Sequence, residues 1–167
     1  MEQKTEQINT KLIRATLCYI RKDEKTLMLL RNKKANDNHT GKYSAPGGKL
    51  EELETPLECV VREVKEECGV DIKKIEYKMN LTFPQFDGKN DWVVDVFIAN
   101  DYDGKFIECN EGKLVWVEDN KILELNLWDG DRIFLKYLYK DCFVFGKFCY
   151  KDKKLISHEI TCLWVKQ

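Results

Sequence analysis

No stretch of this sequence approaches the ~18 apolar residues needed to cross a bilayer, and the opening residues, MEQKTEQINTKL, lack the apolar core of a secretory signal. An excess of charge is also missing. The net is −1, which excludes a general electrostatic grip on nucleic-acid backbones. A small anionic ligand would have to be held by local positive groups or by metal. The seven cysteines, Cys18, Cys59, Cys68, Cys109, Cys142, Cys149 and Cys162, include no CxxC pair. Their odd number and scattered positions lead us to expect buried free thiols in a reducing compartment, not a zinc site or a disulfide framework. Only two histidines occur: His39, expected as an exposed loop residue, and His158 in a late strand, neither of which signals a catalytic histidine. The expectation is a cytoplasmic protein with no membrane, DNA or RNA partner.

The chain contains 167 residues, 43% hydrophobic and 34% charged, as a globular chain with a substantial core requires. Residues 1–11 read as a loosely held leader to a single domain spanning 1–167. Segments 14–21 and 26–31 read as strands joined by a hairpin turn at Asp23-Glu24-Lys25, and 32–42 as a polar loop. After a helix centred near residue 60, strands are expected at 75–83, ending at Pro84, and at 92–99 and 114–118, with turns at Asp87-Gly88-Lys89-Asn90 and Asp103-Gly104. Asp119 or Asn120 would cap a short helix, and Asp129 or Asp131 a longer one carrying Ile133, Phe134, Tyr137 and Leu138. Two late strands, 143–150 and 155–164, complete an α/β (α+β) reading.

The most informative stretch is 48–70, GKLEELETPLECVVREVKEECGV. Thr55 with Glu58 forms a capping-box pattern, Pro56 falls at the first helical position, and Gly69 follows the last turn as a left-handed cap would. Leu57, Val60, Val61, Val64 and Cys68 recur at helical spacing as an apolar stripe. Glu63, Glu66 and Glu67 crowd beside it at i, i+3 and i+4, where like charges repel. A hard divalent cation, which takes oxygen ligands, would convert that repulsion into binding. The alternative is a solvated acidic face.

The spacing of Gly48, Glu54, Arg62, Glu63, Val64, Glu66, Glu67, Gly69 and Val70 resembles the Nudix box at each defined position. The chain is thus identified as resembling the Nudix hydrolases, which cleave nucleoside diphosphates linked to another moiety. Gly41-Lys42-Tyr43, Thr82-Phe83-Pro84, Cys109-Asn110-Glu111-Gly112 ahead of Trp116, and Leu127-Trp128-Asp129-Gly130-Asp131 resemble the MutT type of 8-oxo-dGTP diphosphatase. The resemblance implies the Nudix fold, a mixed β-sheet sandwiched between α-helices. It implies Mg²⁺, with Mn²⁺ as a substitute, held by Gly47 through its carbonyl and by Glu63, Glu66, Glu67 and Glu111. It also implies Glu63 as general base, Arg62 as the residue orienting a neighbouring carboxylate, and a supporting place for Glu54. The products would be a nucleoside monophosphate and pyrophosphate.

Base recognition is less defined. Trp128 is placed to stack on a purine or to pack in the core. Asp129 and Asp131 read a base edge or cap a helix, and Gly130 stands where the human homologue carries the first of two aspartates. Ser44 replaces a base-contacting asparagine. Phe83 and Trp92 are pocket walls or core, while Lys49, Arg31 and Lys33 contact phosphate or are ordinary solvated bases. Dihydroneopterin triphosphate, a nucleotide sugar or a capped RNA end are alternative substrates. A non-catalytic nucleotide-binding module is a further alternative, of a different class.

Overall fold

The computed structural model describes residues 10–164. Residues 1–9 of the expected leader lie outside the described residues. Eight strands and two α-helices follow in the order β1 (Leu12–Lys22), β2 (Lys25–Arg31), β3 (Tyr43–Ser44), α1 (Pro56–Cys68), β4 (Asp71–Phe83), β5 (Asp91–Asp103), β6 (Gly112–Glu118), α2 (Asp129–Phe134), β7 (Cys142–Lys151) and β8 (Lys154–Trp164). Short 3₁₀ turns cover Asp119–Glu124 and Leu135–Tyr137. The strands form one mixed sheet in the order β3-β2-β1-β5-β4-β7-β8, with β6 added alongside β2. Pairing is parallel between β1 and β5 and between β4 and β7, and antiparallel elsewhere. Among the described residues no helix is long and apolar enough to cross a membrane.

Alternation along the central strands splits the core into two layers, because successive side chains point to opposite faces. Cys18 and Ile20 of β1, with Phe97 and Ala99 of β5, pack against Val60, Val64 and Cys68 of α1. Tyr19, Val96 and Ile98 share the other cluster with Ile122, Leu127, Phe134, Leu135 and Leu138. The sandwich of helices around a sheet follows from that alternation.

The α1 caps form as the sequence indicates. Glu58 N–H donates to Thr55 Oγ1 at 3.2 Å, Thr55 N–H donates to Glu58 Oε2 at 2.9 Å, and Gly69 closes the helix at φ 80°. The apolar stripe needs correction. Leu57 and Val61 are 52% and 40% exposed, and Cys59 is fully buried instead, its Sγ 3.3 Å from Thr16 Oγ1 of β1. At 100° per residue both belong to the stripe by angle, but the sheet does not extend beneath them.

Other expectations shift for identifiable reasons. The hairpin turn is two residues, Asp23 and Glu24, both at positive φ, as the twist of the flanking strands favours. Asp119 caps no helix; it accepts from Arg21 Nε at 2.6 Å and Thr26 Oγ1 at 2.8 Å, tying the 3₁₀ turn to the hairpin. The α2 helix is shorter than expected, with no side-chain cap from Asp129 or Asp131. The cysteine expectation fails at one pair: Cys142 and Cys162 are joined in a disulfide across β7 and β8. The remaining five are free, four of them buried.

The two layers set an expectation for stability. Leu27→Ala, at a buried site against α1, should cost about 2–5 kcal/mol, whereas Leu57→Ala should stay within about 0.5 kcal/mol. Urea unfolding of both variants checks this, and equal losses would contradict the assigned helix face.

Candidate active site

The loop between β3 and α1 is laid against β1 by its backbone. Thr16 N–H donates to Gly48 O and Cys18 N–H to Pro46 O, both at 2.8 Å, and Leu50 N–H donates to Arg14 O at 3.0 Å. At Gly47 a Cβ would collide with the Thr16 carbonyl, and at Gly48 with the Glu63 carboxylate. The glycine pair therefore lets the main chain run between β1 and the acidic face of α1: at Gly47 no other residue fits, and at Gly48 a side chain would displace the Glu63 carboxylate.

Arg62 organises that face. Its Nε and Nη2 donate to the two Glu54 oxygens at 2.7 and 3.0 Å, and Nη1 donates to Glu63 Oε1 at 2.9 Å and Glu66 Oε2 at 3.3 Å. A further bond from Nη2 reaches Lys49 O at 3.2 Å. The planar guanidinium fork suits this multiple contact. Its hydrogen bonds hold Glu54 down to about 2. Glu67 is buried, 8% exposed, and its Oε2 accepts the Gly47 N–H at 2.8 Å. Burial, then the charges of Glu111 and Glu63, hold its carboxyl well above the usual range. Glu111 is held below that range despite its burial, because Lys34 and Arg31 hold it. Arg31 Nη1 donates to Glu111 Oε2 at 2.7 Å, and Lys34 pairs with the other oxygen.

The fit to a metal can be judged from this donor set. All the groups are hard oxygens, and Glu67 is a buried carboxylate crowded by two others, the environment a Mg²⁺-sized cation relieves. Among the described residues, however, no three His, Cys, Asp or Glu side chains converge at ligand distance as they stand. Glu63 is drawn to Arg62, and Glu111 to Arg31 and Lys34. The residues fit the ion in kind, and holding it requires Glu63 and Glu111 to turn from their basic partners.

A cleft of about 540 Å³ runs from this acidic end to an aromatic one. Gly47, Lys49, Arg62, Glu63 and Glu111 line the first; Phe83, Phe86, Trp128, Asp131 and Tyr150 line the second; Ser44, Lys42 and Trp92 also line it. Glu66 is solvent-exposed beside Arg62. Asp129 is exposed and outside the lining, so of the two aspartates only Asp131 faces the cleft. Its carboxyl is raised to about 7 by burial, with Lys42 pulling the other way. Of the two readings open for Lys33, the structure favours the ordinary surface base: it pairs with Glu108 at 2.6 Å, away from the cleft lining.

Three contributors were not read from the sequence. Phe86 packs edge-on to both Trp128 and Tyr150, with centroids 5.5 and 5.1 Å apart. The Tyr150 hydroxyl accepts the Gly130 N–H at 2.7 Å, and a Cβ on Gly130 would meet that oxygen at 2.7 Å. The glycine at this position is thus explained by the tyrosine ring that fills the space. His39, expected to be exposed, is half-buried and accepts the Trp128 indole N–H. Only the unusual glycine could have signalled any of these.

A family model, the NUDIX domain, matches residues 11–138. An uncharacterized Nudix hydrolase, YvcI of Bacillus subtilis, is 33% identical over 94% of this chain and 99% of its own length. The 8-oxo-dGDP phosphatase NUDT18 of Danio rerio is 30% identical over 74% of this chain and 36% of its own length. The crystal structure of a mutator MutT protein from Bacillus halodurans superposes with a TM-score of 0.79 at 31% identity, covering 89% of this chain and 97% of that one.

Asp131 gives a pH expectation. An unfolded aspartate titrates near ~3.9, so the native chain holds this proton more tightly, and the group's contribution to stability falls as pH rises from about 4 to about 7. Asp131→Asn removes that loss. Its melting temperature relative to wild type should therefore climb between pH 4.5 and pH 8, and parallel profiles would show that Asp131 ionises normally.

Proposed function

The chain belongs to the NUDIX domain family, and on that premise we propose that it is a nucleoside triphosphate pyrophosphohydrolase of oxidised purine nucleotides, converting 8-oxo-dGTP and water to 8-oxo-dGMP and pyrophosphate. That it is a hydrolase of phosphoric anhydrides follows from the family and from its Nudix hydrolase relatives. The observation that carries the finer reading is the continuity of the cleft. A carboxylate-rich end beside the glycine loop and an aromatic end beside Asp131 share one cavity. Its size falls within the range for small-molecule sites. In this reading residues 1–167 act as one domain in the cytoplasm, cleansing the nucleotide pool before damaged precursors reach DNA.

Gly47, Glu63, Glu66, Glu67 and Glu111 would hold the divalent ion, Mg²⁺ in preference to Mn²⁺. When bound, it supplies charge neutralisation, orientation of the phosphates and a lowered pKa for the attacking water. Glu63 would take the proton from the attacking water as general base, turning for this from Arg62, whose Nη1 holds its carboxylate at 2.9 Å beside the Gly48 backbone. Arg62 itself is held in register by Glu54. Lys49, whose Nζ lies 5.0 Å from the Trp92 ring centroid, and Arg31 face the phosphates. Trp128 stacks on the base, Phe83 closes a wall, and Ser44 and Asp131 meet its polar edge. An acid raised toward neutrality can donate as well as accept, which suits a lactam edge.

Pyrophosphate release with Mg²⁺ from 8-oxo-dGTP, dGTP, the other nucleoside triphosphates and ADP-ribose tests this. The expected outcome is a clear kcat/KM preference for 8-oxo-dGTP. Equal rates across the triphosphates would remove the base selectivity, and turnover of ADP-ribose alone would replace the substrate class. Glu63→Gln should lower kcat about 10²–10⁴-fold with an unchanged circular dichroism spectrum, as should chelation of the metal with EDTA. Wild-type rates in the variant would remove Glu63 from the chemistry.

A further inference from the structure

One contact at the aromatic end plays no part in the chemistry above. The Trp128 indole N–H donates to His39 Nδ1 at 3.0 Å, and the two rings meet edge-on with centroids 5.8 Å apart. The imidazole also stacks on Phe86, with centroids 6.0 Å apart and planes 18° from parallel. An indole N–H only donates and needs an acceptor when covered. The imidazole can serve because burial, then the Arg31 charge, hold its pKa below the ordinary value, while Asp37 and Glu111 act in the opposite sense.

His39 is itself fixed. Its backbone N–H donates to Asp37 Oδ1 at 3.0 Å, Asp37 Oδ2 accepts from Arg31 Nε at 2.7 Å, and Arg31 continues to Glu111. The loop of residues 32–42 therefore ties the tryptophan wall to the carboxylate end of the same cleft. The other neighbours of Trp128 hold it less specifically. Phe86 and Tyr150 make edge contacts with it, and the Lys42 ammonium lies 5.2 Å from its ring centre. The bond to His39 is the one that fixes the direction of the indole N–H.

We propose that His39 is a positioning residue that sets the plane of Trp128 and, through it, the affinity of the cleft for a nucleobase. The proposal rests on the reading of the aromatic end as the base site. Without the acceptor the indole turns among rotamers, and stacking must order it at each binding event.

The test pairs a substrate-free readout with kinetics. His39→Phe keeps a ring for Phe86 but removes the acceptor; His39→Asn places an amide oxygen near the position of Nδ1. In ¹⁵N-labelled protein the Trp128 indole resonance is identified by its loss in Trp128→Phe. His39→Phe should move that resonance upfield and raise KM for 8-oxo-dGTP about tenfold, the loss expected for one hydrogen bond, with kcat nearly unchanged. His39→Asn should restore both. An unmoved resonance in His39→Phe, or no recovery in His39→Asn, overturns the proposal. A moved resonance with an unchanged KM also overturns it, and Trp128→Ala then separates two cases. If that variant raises KM, the base-site reading stands and the His39 role alone falls; if it does not, the reading falls as well.

Discussion

Arg62 is the point on which the acidic face turns. Three glutamates within one and a half helical turns repel one another, and Arg62 is the basic residue that reaches two of them, Glu63 and Glu66, while it is anchored by Glu54 from the preceding loop. Because its fork is occupied in both directions, it fixes the loop relative to the helix as well as the charge. The glycine pair depends on the same arrangement, since a Cβ at Gly48 would push the Glu63 carboxylate out of its place beside Arg62. Loop, helix start and carboxylate cluster form one unit, and β1 supports it through backbone hydrogen bonds from Thr16 and Cys18.

That unit was legible in the sequence because its determinants are local. A capping box spans four residues, the glutamates repeat on one helix, and Gly47-Gly48 is read directly. The strands were legible in outline because runs rich in strand formers, such as 14–21 and 92–99, mark them, whereas which residues face which helix layer is set by the fold. Leu57 and Val61 show where periodicity stops. They belong to the stripe by angle, but whether the sheet extends beneath them is a tertiary fact. The Cys142–Cys162 bond is another such case, set by the β7–β8 pairing and not by any spacing motif.

The aromatic end was less legible because each of its parts comes from a different segment. His39 lies in the polar 32–42 loop, Phe86 in a turn after β4, Trp128 before α2, and Tyr150 near the end of β7. A polar loop gives no period from which burial could be inferred, and His39 is covered only because Phe86 and Trp128 arrive from elsewhere. Gly130 was visible as a departure from the pattern of the human homologue, but its cause, the Tyr150 hydroxyl, is twenty residues away.

Under the proposed reading of the aromatic end as the base site, the pairing of Gly130 with the Tyr150 hydroxyl bears on what the cleft can recognise. With Gly130 in place of an acidic residue, the polar groups at that end reduce to Asp131, raised to about 7, and a Tyr150 hydroxyl that already accepts from the Gly130 N–H. A hydroxyl in that state still has its own proton to give, and burial, with Asp131 and Asp129 adding to it, keeps the phenol protonated. Two neighbouring acids would compete for one proton, whereas the phenol keeps its own, so Asp131 is the member of the pair whose donor role changes as pH passes about 7. Ser44, in the place of an asparagine, points the same way: it exchanges an amide with separate donor and acceptor atoms for a hydroxyl that supplies both from one oxygen. In the proposed reading, base selectivity would rest on Asp131, the Tyr150 hydroxyl and Ser44, all lining one cleft, on an acidic end whose residue types match the family box at every defined position.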